Sequence, residues 1–183
     1  MREAILYIAM SLDGFIADAR GGVDWLAGQD ANNNDMGSYE KFVREVDTII
    51  MGYNTYHQVI TELSPDVWPY EGMQSYVLTH RRIEPKEQIL FINTSAADLV
   101  SDLKNNEGKN IWICGGADIV NQLVKKDIID TYRITIIPTI LGKGIRLFNS
   151  DNKEVKLQLI DSTITNGMME LIYKRRQCYH GYT

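Results

Sequence analysis

The stretch that most constrains this 183-residue chain is NIWICGGADIV, Asn110 to Val120. Ile111, Trp112, Ile113 and Cys114 form a short apolar run that suits a buried strand. Gly115 and Gly116 follow at once. Ile119, Val120, Leu123 and Val124 then recur at helical spacing, with Lys125 and Lys126 in the last turn. Two residues without Cβ let a ligand approach the backbone closely. The helix behind them offers unpaired N–H groups and the positive end of its dipole, which suits a phosphate or pyrophosphate. The same residues also make a tight strand-to-helix turn that needs no ligand, and the stretch alone does not separate the two readings. It is not the GxGxxG dinucleotide fingerprint, because the third glycine is absent.

Composition bounds the class. A chain 44% hydrophobic and 23% charged is long enough for one globular domain with a full core. Its formal net charge of −5 provides no basic face for nucleic acid. Cys114 ends an apolar strand and Cys178 lies in a polar tail, which argues against a disulfide framework. No apolar run approaches a membrane span, and the first residues show no basic stretch followed by a long apolar one, so a cytoplasmic protein is expected. His57, His80 and His180 have no metal-ligand spacing, and the HxE…PCxxC deaminase signature is absent, so no metal is expected.

Residues Ala4 to Met10 read as a central strand, and Ser11 to Asp30, with no lasting period, as a long loop pinned by Trp25. Asp35 caps an expected helix reaching about Val46, with Tyr39, Phe42, Val43 and Val46 on one face. Thr48 to Met51, Gly52 and Asn54 to Ile60 give a second strand–glycine–helix junction. Ser75 to Thr79 and Ile89 to Ile92 read as strands. Ser95 caps a helix that Gly108 ends. Thr131 to Leu141 is β-rich, with an interruption or sheet edge at Pro138. Val155 to Ile160 alternates, Asn166–Gly167 marks a tight turn, and Met168 to Tyr173 is the last strand before a polar tail over 174–183. Strands alternate with helices to about residue 130 and dominate afterwards. The expectation is one α/β domain over 1–183, its eight-stranded, mostly parallel sheet flanked by about four helices, with antiparallel strands at the C-terminal end.

With these elements placed, the sequence resembles the dihydrofolate reductase-like superfamily, and within it the riboflavin-biosynthesis reductase branch typified by the RibD C-terminal domain. The residues that carry the resemblance run through nearly the whole chain. They are Ala9 followed by SLDGFIA, Trp25, IMGYNTY from Ile50, LTHR at Leu78 to Arg81, CGGADI from Cys114, IIPTILGKGIRLF from Ile136 and NGMMELIY near the end.

The resemblance implies NADPH as hydride donor, with its nicotinamide against Ala9 and Ile16. Its pyrophosphate would bridge two helix starts, one at Gly52, Tyr53, Asn54 and Thr55, the other at Gly115, Gly116, Ala117, Asp118 and Ile119. Leu78, Thr79, His80 and Arg81 would lie beside the adenosine ribose. Trp25 and Asp13 match the mobile loop, where Asp13 suits a bracing role. A small pteridine- or pyrimidine-like heterocycle or a carbonyl is the implied substrate, and a homodimer through the C-terminal strands the implied assembly. Three positions depart from the pattern. Tyr53 stands where many relatives have an arginine for the 2′-phosphate, leaving that charge to Arg81 or Arg82. Cys114 replaces the glutamate that usually precedes the glycine pair. Asp30, five residues after Trp25, has the spacing of the proton-donating acid of dihydrofolate reductases but is followed by a longer connection, which makes Asp35 a second candidate. A nucleotide-binding protein without turnover is the alternative reading.

Overall fold

The computed structural model describes residues 1–30 and 37–176. Its core is an eight-stranded sheet built from β1 (Ala4–Ser11), β3 (Val46–Gly52), β4 (Gln74–Leu78), β5 (Ile89–Ile92), β6 (Asn110–Gly115), β7 (Thr131–Ile137), β9 (Leu157–Thr165) and β10 (Met168–Arg175). The strand order is β5-β4-β3-β6-β1-β7-β10-β9. The first six are mutually parallel, and β10 inserts antiparallel between β7 and β9. Two further short strands, β2 (Phe15–Ala17) and β8 (Ile145–Arg146), form a separate antiparallel pair.

Four α-helices cover the sheet: α1 (Tyr39–Glu45), α2 (Tyr53–Gln58), α3 (Ala96–Lys104) and α4 (Ala117–Lys125). Alternation along the strands sorts the core into two layers. Leu6, Ile50 and Ile113 pack with Val100, Leu103, Val120 and Leu123 of α3 and α4. Ile5, Ile49, Met51 and Trp112 pack with Phe42 and Tyr56 of α1 and α2. Parallel strands covered on both faces must be apolar on both, which is why β1 and β6 read as unbroken hydrophobic runs.

The expected sheet and its antiparallel end are present, with local corrections. The first helix is Tyr39–Glu45; its expected cap, Asp35, lies outside the described residues, and Val46 already belongs to β3, where it pairs with Asn110. The second helix starts one residue early and passes at Val59 into a single π-turn reaching Leu63. β7 stops at Ile137 because Pro138 has no N–H to donate. The loop from Ser11 to Asp30 contains β2 and a 3-10 turn over Asp24–Leu26. Lys174 and Arg175 belong to β10 rather than to a tail; Lys174 pairs with Thr131 and Gln158, and its ammonium meets Glu3. Ser95 caps α3 as expected, its hydroxyl accepting from the Asp98 N–H at 3.1 Å. No helix among the described residues is long and apolar enough to cross a membrane.

Candidate functional site

β3 and β6 lie side by side and parallel, so their carboxyl ends open at the same edge of the sheet. Each ends in glycine and feeds a helix, α2 from one face and α4 from the other. The two junctions nearly touch. A Cβ on Gly116 would sit 3.6 Å from the Thr55 hydroxyl, and one on Gly52 would sit 3.5 Å from Ile119 Cδ1. Neither helix start has a side-chain cap, in contrast to α3. Two sets of backbone N–H groups and two positive dipole ends therefore converge on one gap. Gly115 has φ +109°, a region other residues rarely adopt, and the Gly115–Gly116 peptide is cis. Gly116 itself has an ordinary φ of −73°, so a side chain there meets space rather than backbone strain.

One strand further out, β4 ends at Leu78, and Thr79, His80 and Arg81 follow. Thr79 Oγ1 accepts from the Arg81 N–H at 3.1 Å, and His80 Nδ1 lies 2.7 Å from Asn93 Oδ1. The Arg81 guanidinium sits 4.4 Å over the Tyr53 ring. An exposed cation over a ring is worth about 0.5–1 kcal/mol, enough to bias where the charge rests. Tyr53 thus serves as a plate for the charge that it does not itself supply.

The loop after β1 is fastened at both ends. Asp13 accepts from Ser11 Oγ at 2.6 Å, Leu141 N at 3.1 Å and Gly142 N at 2.7 Å. Those donors, the Ser11 hydroxyl foremost, hold its carboxyl at about 2, below the usual range. Asp13 therefore ties the loop to the Leu141–Gly142 turn. At the far end Asn166 Oδ1 accepts from Asp30 N at 2.9 Å, and its amide donates to Asp30 O at 2.9 Å. Asn166 and Gly167 both have positive φ, the signature of a type I′ hairpin turn. Trp25 is only half-buried and donates to Gly22 O at 3.2 Å, so the β9–β10 turn contributes directly to fixing the loop. Ile16 packs against the core layer shared with α3 and α4.

Asp30 is exposed at that turn rather than enclosed in an apolar pocket. Cys114 lies beside Tyr70, and burial pushes its thiol up to about 12, so it stays protonated and acts as a small hydrophobe. The α1 face of the sheet holds charges that the sequence reading did not single out. Glu170 Oε1 on β10 accepts from Arg133 Nε at 3.0 Å and Arg133 Nη2 at 2.7 Å, and Oε2 accepts from the Ser38 hydroxyl. The guanidinium of Arg133 lies 5.2 Å over Tyr7 and 5.1 Å over Phe42. The available signal was one arginine in TYRITII and one glutamate in MMELIY, each a charge inside an apolar strand. A cavity of about 110 Å³ opens beside this pair. A larger one, about 490 Å³, lies at the opposite end of the strands beside Arg2, whose guanidinium is already engaged by Lys109 O, Thr48 and Asp47.

This arrangement is an α/β domain of the dihydrofolate reductase-like fold. The chain belongs to the RibD C-terminal domain family, whose model matches residues 2–169. It is 41% identical over 175 residues to the uncharacterized protein YwjB of Bacillus subtilis (strain 168), covering 95% of this chain and 98% of that one. A crystal structure from Shewanella sp. PV-4, of a protein proposed to act in riboflavin biosynthesis, aligns with TM-score 0.81 and 31% identity over 96% of this chain and 99% of that one. Dihydrofolate reductase from Enterococcus faecalis complexed with NADP(H) shares the fold, at TM-score 0.68 and 15% identity over 96% and 97% of the two chains.

Replacing Gly116 by valine places a branched side chain between the two helix starts. Gly116→Val is expected to keep a wild-type circular dichroism spectrum and to lose NADPH binding in a fluorescence titration. A folded variant with wild-type affinity would show that the glycine pair is only a turn.

Proposed function

We propose that this protein is an NADPH-dependent reductase that delivers a hydride to a small pteridine- or pyrimidine-like heterocycle or carbonyl. The observation that carries this reading is the convergence of two uncapped helix starts at adjacent parallel strand ends. A doubly charged pyrophosphate fits there better than any neutral group. Membership in a reductase family supports the same reading. The bound nicotinamide supplies the hydride. Gly52 to Thr55 and Gly115 to Ile119 would hold the pyrophosphate, and Leu78 to Arg81 the adenosine end. Ala9 would lie against the nicotinamide. The loop braced by Asp13 would help exclude water while substrate and cofactor are held in line. The reaction would take place in the cytoplasm.

The Arg81–Tyr53 stack gives the cofactor preference. Losing one charge-assisted phosphate contact costs roughly 1.5–3 kcal/mol. Arg81→Ala is therefore expected to weaken NADPH by about tenfold or more and to leave NADH nearly unchanged. Equal affinities of the wild-type protein for the two cofactors would remove Arg81 from the 2′-phosphate role.

The exposed setting of Asp30 favours water as the proton source. Asp30→Asn should alter substrate-dependent NADPH oxidation by less than about tenfold, whereas a general acid contributes roughly 10²–10⁴. A loss in that larger range would make Asp30 the proton donor. No oxidation with any pteridine, pyrimidine or small carbonyl would favour cofactor binding without turnover.

We further propose a homodimer through β9. This edge strand exposes Leu159, Ile160 and Ile164, at 50%, 53% and 70% of their surface, an apolar edge that a second copy would cover. Sedimentation equilibrium should give twice the chain mass at micromolar concentration; a monomer there would reject the interface.

A further inference from the structure

We propose that Gln58 is a positioning residue that holds the turn at residues 18–22 as a strap over the gap between the two glycine junctions, and so sets how fast a molecule seated there is exchanged. The inference rests on the reductase reading above only for its probe, NADPH; the strap itself follows from contacts within the chain.

The path of the backbone places the strap. β1 ends at Ser11, and β6 lies between β1 and β3 in the sheet. Ile16 packs in the core layer of α3 and α4. Five residues later the Gly21 carbonyl accepts from Gln58 Nε2 at 3.0 Å, on the helix that follows β3 and packs in the other layer. The backbone therefore passes from one face of the sheet to the other between Ile16 and Gly21. β1, β6 and β3 are parallel, so the crossing runs over their carboxyl edge, past the end of β6 where Gly115 and Gly116 stand. Five residues span at most about 18 Å, which leaves no slack for a detour around the sheet.

The strap is a preformed piece. Asp18 N–H donates to Gly22 O at 2.9 Å and Gly21 N–H to Asp18 O at 3.1 Å, while Asp18 Oδ1 accepts from Arg20 N–H at 2.7 Å and Gly22 N–H at 2.9 Å. A turn closed on itself in this way is placed by a single outside bond. Gln58 supplies that bond, and Glu62 Oε2, accepting from the same nitrogen at 3.2 Å, fixes the direction of the amide. The root of the segment is tied to the other framing helix. Asn121, 3% exposed on α4, donates to Ala117 O at 2.6 Å and to Leu147 O at 3.0 Å, and Leu147 N–H donates to Gly14 O at 3.0 Å. Both helices whose starts form the gap therefore hold the segment that crosses it. The tie at the tip is one neutral hydrogen bond from a half-buried side chain, so the strap opens there first.

The test compares Gln58→Met, which keeps the length and helix propensity but donates nothing, with Gln58→Lys, which restores a donor at similar reach. Three rates are read: cleavage after the exposed Arg20 by an arginine-specific protease, and association and release of NADPH by stopped-flow fluorescence. One hydrogen bond of this kind shifts an opening equilibrium about two- to tenfold. Gln58→Met is expected to speed Arg20 cleavage and NADPH release by that factor. Association should speed with them, because a cover that opens more often also admits ligand more often, and Kd then changes less than either rate. Gln58→Lys should return all three rates to within about twofold of wild type. Faster cleavage at wild-type NADPH rates would mean that Gln58 holds the turn but that the turn does not cover the gap. Faster release with unchanged association would make Gln58 part of the binding surface instead. Wild-type cleavage in Gln58→Met, or no repair by Gln58→Lys, would remove Gln58 as the tie. Each of these results overturns the proposal. If the wild-type protein binds no NADPH, the cofactor reading fails by itself, and Arg20 cleavage in the two variants decides whether the strap stands.

Discussion

The rest of this structure depends on one adjacency, that of β3 with β6. Their parallel pairing, Ile49 against Trp112 and Ile50 against Ile113, carries two glycine-terminated strand ends to the same edge. The chain then leaves that edge toward opposite faces, because α2 packs in one core layer and α4 in the other. Two helix starts that are more than sixty residues apart in sequence become neighbours. Backbone donors without side-chain caps are tolerable there because the gap is open to solvent or to a ligand. The same donors within the closed core would be a defect.

A second constraint acts on the α1 face. Burying an ion pair repays its desolvation only when geometry is good and the remaining lone pairs find partners. Arg133 and Glu170 meet that condition through paired N–H contacts, the Ser38 hydroxyl and two aromatic rings. Ser38 occupies the N-cap position of α1 without capping it: its backbone is already in the αR region, and its side chain turns to Glu170 instead. The helix start, the antiparallel insertion of β10 and the cavity are thus tied together by one carboxylate. Aromatic contacts continue from this pair through Trp112 and Tyr70 to Trp68 and Tyr56, and on to Tyr53 under Arg81. One aromatic layer is therefore continuous from the Arg133–Glu170 pair to Arg81.

Much of this was written locally. The apolar runs of β1 and β6, the glycine junctions at Gly52 and Gly115, the Ser95 cap and the Asn166–Gly167 turn each depend on neighbouring residues and are readable one segment at a time. Element ends were less so. Val46 as strand rather than helix was decided by Asn110, a partner distant in sequence. Asp30 illustrates what spacing leaves open: it lies five residues after Trp25, and the chain carries it to an exposed turn beside Asn166.

The sequence by itself therefore determined the alternation of strands and helices, the two glycine junctions and the family to which the chain belongs. These rest on short-range periodicity and backbone freedom. Tertiary structure alone decided that Arg81 rests on Tyr53, that Asp13 ties β1's loop to Leu141 and Gly142, and that Arg133, Glu170 and Ser38 meet. The physical reason is register. A one-residue slip in β10 would turn Glu170 to the other face, and nothing within MMELIY itself specifies which face meets Arg133.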